Sequence, residues 1–476
     1  MKKKWVTTNC GITRFLAGLA LVILGFANTA SASAGTMAIA TQGYIYGFPL
    51  VLMGETLERL TGETRSCEIS TEINTFFHVM ELPDADYKIV VRPNLDTLYS
   101  FAMLELSEGP VLLTHPDVTD RYLLMTFLDA WSNNFDAIGT QRNGGKAAGY
   151  VIVGPDWSGN VPMDYVRIDS PTNLVWVLGR TEVRGTDDIA AVNALQEQYQ
   201  LTPYGRHPQP GNDFITCIPE AQRKSSIEVV KSLSGEAFFD RLSALMTLYP
   251  PPRQDAAMVR LLARIGVGPD AERSMAELPA CTRRLINSGA ILGRSILRNS
   301  TSVLGLAGWG PNPALIPLGD YGKNYLVRAV VAQIGFGANK GEYAVYQNAE
   351  RDANLKPLSG KAVYTMTFSG DDLPPVKAFW SVTVYDDDGF LCKNSAAEQL
   401  LGISRHALGS NSGLASDADG NITLYLGREP PAGIPLENWL PTPDGSFQVT
   451  IRLYQPDDRI LSNRWKAPKL VRRKNL

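Results

Sequence analysis

Two changes of hydrophobic period constrain this chain more than any other feature. Between Lys88 and Leu178 the apolar residues fall into short runs or strict alternation: Lys88 to Arg92, Leu98 to Leu106, Arg121 to Leu128, Gly149 to Val153 and Leu174 to Leu178. Turn chemistry separates them, as at Pro93-Asn94, Gly109-Pro110, Asn143-Gly144-Gly145 and Gly154-Pro155, which is the pattern of strands joined by tight loops. From Thr186 the spacing becomes helical, with Ile189, Val192, Leu195, Gln196 and Tyr199 on one face and Thr186 placed as the N-cap. Helical spacing persists through Phe238 to Met246, Met258 to Ile265, Cys281 to Leu297 and Tyr325 to Ile334. Alternation then returns in Ala362 to Phe368, Phe379 to Asp386, Ile422 to Leu426 and Phe447 to Tyr454. The expected fold is therefore mainly β with helical segments: two jelly-roll or barrel-like β domains joined by a helical middle.

The expected boundaries are a leader at 1–34, an N-terminal β domain at 35–185, the helical middle at 186–340 and a C-terminal β domain at 341–476. The β domain at 35–185 begins with a helix, Gly43 to Glu58, which Pro49 should interrupt by removing a backbone donor.

The first 34 residues read as an export signal. Lys2, Lys3, Lys4 and Arg14 precede an apolar run from Phe15 to Ala27, and Ala32-Ser33-Ala34 supplies small residues for cleavage. That run is shorter than the roughly 20 residues that span a bilayer, and Cys10 lies on the wrong side of it for lipid attachment. The expected product is periplasmic or secreted, with no stable membrane anchor. Without the leader Lys+Arg falls from 45 to 41 against 48 Asp+Glu, a net charge of −7. An acidic chain without a basic stripe offers no footprint for nucleic acid.

Four cysteines remain in a compartment where disulfides persist: Cys67, Cys217, Cys281 and Cys392. Three pairings are open, with Cys217 to Cys281 favoured because both flank the central segment. Metal and cofactor signatures are missing: His78, His115, His207 and His406 have no ligand spacing, and no nucleotide or phosphate loop is complete. No metal and no cofactor are expected. Asp417 to Asn421 imitates half a calcium loop, but Ala415 and Leu426 occupy ligand positions, so it reads as a hairpin turn.

Two clusters of polar and aromatic residues at strand ends carry the functional expectation. The first joins Asn94, Asp96 and Tyr99 to Asp129, Trp131, Asn134 and Arg142. The second gathers Tyr385, Asp386, Asn394, Asn438 and Trp439. Such groups supply hydrogen bonds for hydroxyls and a stacking face for a sugar-like ring. Asp96 and Asp129 are the candidate acid and base, because paired carboxylates in unequal surroundings split their pKa values. The bland alternative is that Asn94 and Asp96 form Asx turns. A small-molecule ligand, bound or processed by a metal-independent hydrolase, is the expected partner. A rival is an envelope assembly protein that would use Phe379, Trp380, Trp439 and Trp465 as exposed anchors.

At these residues the chain resembles a bacterial two-part family, domain of unknown function 1254 followed by domain of unknown function 1214. The first part is matched in Tyr44-Ile-Tyr46-Gly47-Phe48-Pro49, in Pro93-Asn94-Leu95-Asp96-Thr97-Leu98-Tyr99 and in Arg121-Tyr122 leading to Asp129. The second is matched in Leu373 to Asp386, in Asn438-Trp439-Leu440-Pro441 and in Arg452-Leu453-Tyr454. The resemblance implies two β-barrel or jelly-roll domains joined by helices, with a homo-oligomer among its expectations. It brings no catalytic residues.

Overall fold

A computed structural model describes residues 32–88, 90–204, 216–301 and 309–473. The expected leader lies outside them except for its last residues, Ala32 to Ala34, which begin the first helix. Ile89 is also outside, and the flanking residues of the expected strand Lys88 to Arg92 are irregular.

The N-terminal half stacks two open sheets. One runs Phe77–His78, β1 (Thr97–Glu105), β3 (Leu174–Glu182), β2 (Leu123–Asp129) and Asn134–Gly139. The other runs Gln200–Pro203, Val111–His115, Ala148–Val153 and Val166–Asp169. Alternate residues of β1 serve two cores: Ala102 and Leu104 pack between the sheets, whereas Met103 packs against helices on the opposite face. A strand with both faces covered reads as a nearly continuous apolar run, as Leu98 to Leu106 does. Because Gln200–Pro203 pairs with Val111–His115, this β unit extends past residue 185 to Pro203.

The C-terminal half also stacks two open sheets. One has the order β4 (Ala344–Ala349), β6 (Phe447–Tyr454), β5 (Trp380–Asp386) and Ala407–Gly409. The other is Trp439–Pro441, Ile422–Gly427, Val363–Phe368 and Val471–Arg473. Phe447, Val449, Ile451 and Leu453 of β6 point into the core between them. Among the described residues no sheet closes on itself.

Helix α1 (Ala32–Thr61) is the centre of the helical layer. Residues Tyr44 to Met53 are buried almost all round, as expected for a helix enclosed by others: α2 (Gly235–Leu248), α3 (Ala280–Thr301) and α4 (Tyr325–Gly335). Pro49 lies inside α1 and does not end it. Packing on every side holds the helix through the missing hydrogen bond. Close approach to α3 depends on Gly289, where a Cβ would lie 2.5 Å from the Met37 carbonyl oxygen and 2.6 Å from Ala40 Cβ. Gly289→Ala should force these helices apart and cost roughly 1–3 kcal/mol, the usual penalty for overpacking, measured as a fall in the urea midpoint.

The Cys217–Cys281 bridge is not formed. Cys281, in the first turn of α3, is a free and exposed thiol, and it is Cys67 that is disulfide-bonded. Cys392 is also free. No helix among the described residues is long and apolar enough to cross a membrane.

Candidate functional site: the cleft between the two halves

The two halves meet across a polar sheet face. Side chains alternate on a strand, so Gln448, Thr450, Arg452 and Tyr454 of β6 share the face opposite its apolar core. Cross-strand register adds Ser381, Thr383 and Tyr385 from β5 and Tyr346 and Asn348 from β4. A polar stripe normally marks solvent, yet every residue of β6 is buried because the N-terminal loop 91–96 lies against it.

That loop is fastened by donors from both sides. The Arg92 N–H donates to the Gly389 carbonyl (2.7 Å) and its Nε to Gln448 Oε1 (2.7 Å). Arg452 Nη2 donates to the Arg92 carbonyl (3.0 Å) and to the Tyr385 hydroxyl (2.7 Å), while Nη1 donates to Thr383 Oγ1 (2.9 Å). Tyr385 in turn donates to the Pro93 carbonyl at 2.6 Å. Asp96 Oδ2 accepts from Ser381 Oγ (2.6 Å) and from the Tyr454 hydroxyl (2.9 Å). Asn94 Oδ1 closes an Asx turn on the Asp96 N–H, and its Nδ2 donates to Tyr454 and Tyr99.

Beside this seam is a cavity of about 490 Å³. Its polar wall includes Arg92, Arg180, Arg452, Asn94, Tyr99 and Tyr346; Ile316, Leu318, Val331, Ile334 and Phe336 supply an apolar wall. Tyr99 and Arg180 are direct partners in the β1–β3 ladder, with the guanidinium 5.2 Å from the ring centroid. Arg180 is 5% exposed; its Nη2 donates to the Gly337 carbonyl at 3.3 Å, while Nε and Nη1 have no hydrogen-bond partner among the described residues.

The electrostatics follow from buried arginines among phenols. Burial would raise the Tyr99 phenol, but Arg180, the Asn94 amide and Arg452 more than offset it and hold its pKa below the usual value. Burial pushes Tyr346 up to about 12. Burial opposes the charge on Arg452, yet Tyr385, Tyr454 and Asp96 hold its pKa above the ordinary arginine value. Ionisation of Tyr99 should therefore precede that of a free tyrosine in a 295 nm titration. Tyr99→Phe should remove that early step. A depressed pKa adds stability only as the phenol ionises, so folding stability near neutral pH, where it is protonated in both states, should show no contribution from this shift.

Of the residues singled out in the sequence, Asn94, Asp96, Tyr99 and Tyr385 come together at the seam. The others do not. Asp129 lies at the opposite end of β3 from Asp96: it is opposite Val175, whereas the Asp96 carbonyl accepts from Val183. At ~3.4 Å per residue this puts them roughly 27 Å apart, too far for an acid–base pair. Asp129 Oδ1 accepts from the Trp131 and Asn133 N–H groups of its own turn, and burial raises its pKa. Trp131 is buried, with Nε1 donating to the Tyr249 carbonyl, and Arg142 is paired with Asp136. Asn134 is 1% exposed with neither side-chain polar atom partnered among the described residues.

The residues expected to line a C-terminal pocket spend their polar groups on the protein itself. Asp386 accepts from the Phe390 N–H of its own turn, Asn394 caps the helix Ser395–Leu401, and Asn438 staples the backbone of Ala415 and Thr423. Trp439 is wholly buried and donates to the Gly427 carbonyl (2.9 Å), so it is core and offers no stacking face. Phe379, Trp380 and Trp465 are each 5% exposed, leaving no aromatic docking face of the expected kind. Among the described residues no cluster could hold a metal ion. Sequence reasoning missed Arg180, Tyr346 and Arg452 as site residues. A charged or phenolic side chain alternating with core residues on a strand was the available signal.

Two family models match the chain, each described as a protein of unknown function: DUF1254 over residues 73–203 and DUF1214 over residues 343–458. The chain belongs to this two-part DUF1254–DUF1214 family. Among solved structures it is similar to the VPA0106 protein of Vibrio parahaemolyticus, with 22% identity and a TM-score of 0.69 over 92% of this chain and 100% of the other. That likeness concerns the fold. An uncharacterized protein from Burkholderia cenocepacia matches at 11% identity and a TM-score of 0.43, over 97% of this chain and 98% of that one. No curated protein matches.

Proposed function

We propose that this chain is an exported protein, periplasmic or secreted, that binds a small polar molecule without a metal in the cleft between its two halves. The carrying observation is the cavity itself: about 490 Å³, within the size range of small-molecule sites, with convergent polar groups from both halves and an apolar wall. On this reading the two sheet pairs are jelly-roll-like frames, and the loop 91–96 and the loop after α4 supply the site, as loops on rigid scaffolds commonly do. The separation of Asp96 from Asp129 favours a binding module over glycoside hydrolysis by that pair.

The test is a thermal-shift screen of the exported chain against sugars, polyols, amines and organic acids. A ligand at 100 times its Kd stabilises by about 2.7 kcal/mol. Gly335 lines the cavity, and a Cβ there would meet nothing within 4 Å. Gly335→Trp should therefore fill the cleft and abolish the shift while changing the ligand-free midpoint little. Retention of the shift in that variant would place the ligand elsewhere.

A further inference from the structure

Resting on that reading of the cleft, we propose that its ligand is a small organic acid, with an anionic carboxylate at the arginine end and an apolar body against α4 and the segment that follows it. Three guanidiniums border the cavity, and their compensation is incomplete. Glu350 is the carboxylate on the cavity wall; its side chain is 66% exposed and 3.8 Å from Arg92. Asp96 balances Arg452 from behind the wall, with Oδ2 already occupied by the Ser381 and Tyr454 hydroxyls. The groups that act most strongly on the Arg180 charge are phenols, Tyr99, Tyr346 and Tyr122, and its Nη2 donates to the neutral Gly337 carbonyl.

A buried cation without a counter-charge is costly, and a guanidinium presents a planar fork matched to a carboxylate. The internal substitute at hand is the Tyr99 phenol, whose ring lies 5.2 Å from the Arg180 guanidinium and which must lose a proton to serve. A ligand carboxylate is ionised throughout the neutral range and needs no such step. The apolar wall sets the remainder of the molecule. Val331 and Ile334, one helical turn apart on α4, and Phe336 face the same cavity as the arginines, with Ile316 and Leu318 from the preceding loop. A sugar would leave that wall in contact with hydroxyls; a short aliphatic or aromatic body covers it.

The experiment compares octanoate, its neutral isostere octanamide, octylamine and glucose by calorimetry at pH 7 on the wild-type chain and on Arg180→Gln. Octanoate should bind at least tenfold more tightly than octanamide, octylamine should be the weakest of the three, and Arg180→Gln should erase the preference for octanoate while retaining octanamide binding. Equal affinity for octanoate and octanamide would overturn the assignment of an anion and leave the cleft as a neutral site. Tighter binding of glucose than of octanoate would overturn the apolar body as well. If no probe binds, or Gly335→Trp leaves octanoate binding intact, the cleft reading fails together with this one. The wild-type comparison of acid with amide decides the point even if Arg180→Gln does not fold.

Discussion

Arg452→Met should lower the stability of the folded chain by about 3–5 kcal/mol, the scale for removing one partner of a buried, hydrogen-bonded charge. Arg452 is 2% exposed and donates to Thr383 Oγ1, the Arg92 carbonyl and the Tyr385 hydroxyl, which lie on both halves of the protein. Methionine fills similar volume, so the cost would come chiefly from stranded polar groups: the Arg92 carbonyl loses its donor and Asp96 loses the nearby positive charge. Adding Asp96→Asn should recover part of the loss, because the carboxylate then no longer needs compensation; the coupling is read from a double-mutant cycle in urea. An exposed control sets the scale. Arg459, 49% exposed at its side chain and paired with Asp457, should cost less than about 1 kcal/mol on replacement by methionine. Similar losses at the two sites would show that the seam is not held by Arg452.

The same residue shows what the sequence could and could not convey. Alternation in Phe447 to Tyr454 identifies a strand and assigns Val449, Ile451 and Leu453 to a core, and the structure agrees. It also assigns Arg452 and Tyr454 to the other face, but a period of two says nothing about what covers that face. Water and the loop 91–96 are indistinguishable partners at that level. Asn94 and Asp96 were legible because a turn motif preceding a strand is local chemistry. The turn reading holds for Asn94, whose Oδ1 accepts from the Asp96 N–H while its Nδ2 reaches Tyr454 across the seam; the Asp96 carboxylate instead accepts from Ser381 and Tyr454. Arg180 was missed because its meaning depends on strand pairing. Alone it is a charge near the end of an apolar run, and only register places it opposite Tyr99. Trp439 and Asp129 were misplaced for a related reason. Their types suit a ligand site, whereas their neighbours, the Gly427 carbonyl and the N–H groups of residues 131 and 133, use the same donors and acceptors for packing and turns.

Arg328→Met should cost about 3 kcal/mol, with a weakening of ligand binding as a second readout. Arg328 is 1% exposed in the middle of α4, and its guanidinium lies 5.4 Å from the Tyr46 and Trp131 rings and 5.3 Å from the Tyr325 ring. A desolvated cation over an aromatic face gains roughly 1–2 kcal/mol per favourable ring. The three rings come from α1, the turn after β2 and α4 itself, so one side chain ties the helical layer to the sheet. Asp255 completes the cluster at one remove by accepting from the Tyr46 hydroxyl (3.2 Å) and the Tyr325 hydroxyl (2.7 Å). Trp131, whose type suggests a stacking face for a ligand, thus stacks on the protein's own cation. Arg328→Lys should recover less than half of the loss, since an ammonium is more strongly hydrated and lacks the flat surface that lies against three rings. Val331 and Ile334 follow on the same helix and line the cleft. Loosening α4 should therefore raise the Kd of an apolar acid several-fold even where the arginines are intact. A stable Arg328→Met variant with wild-type affinity would show that burial of the aromatic rings, and not the cation among them, fixes α4 to the sheet.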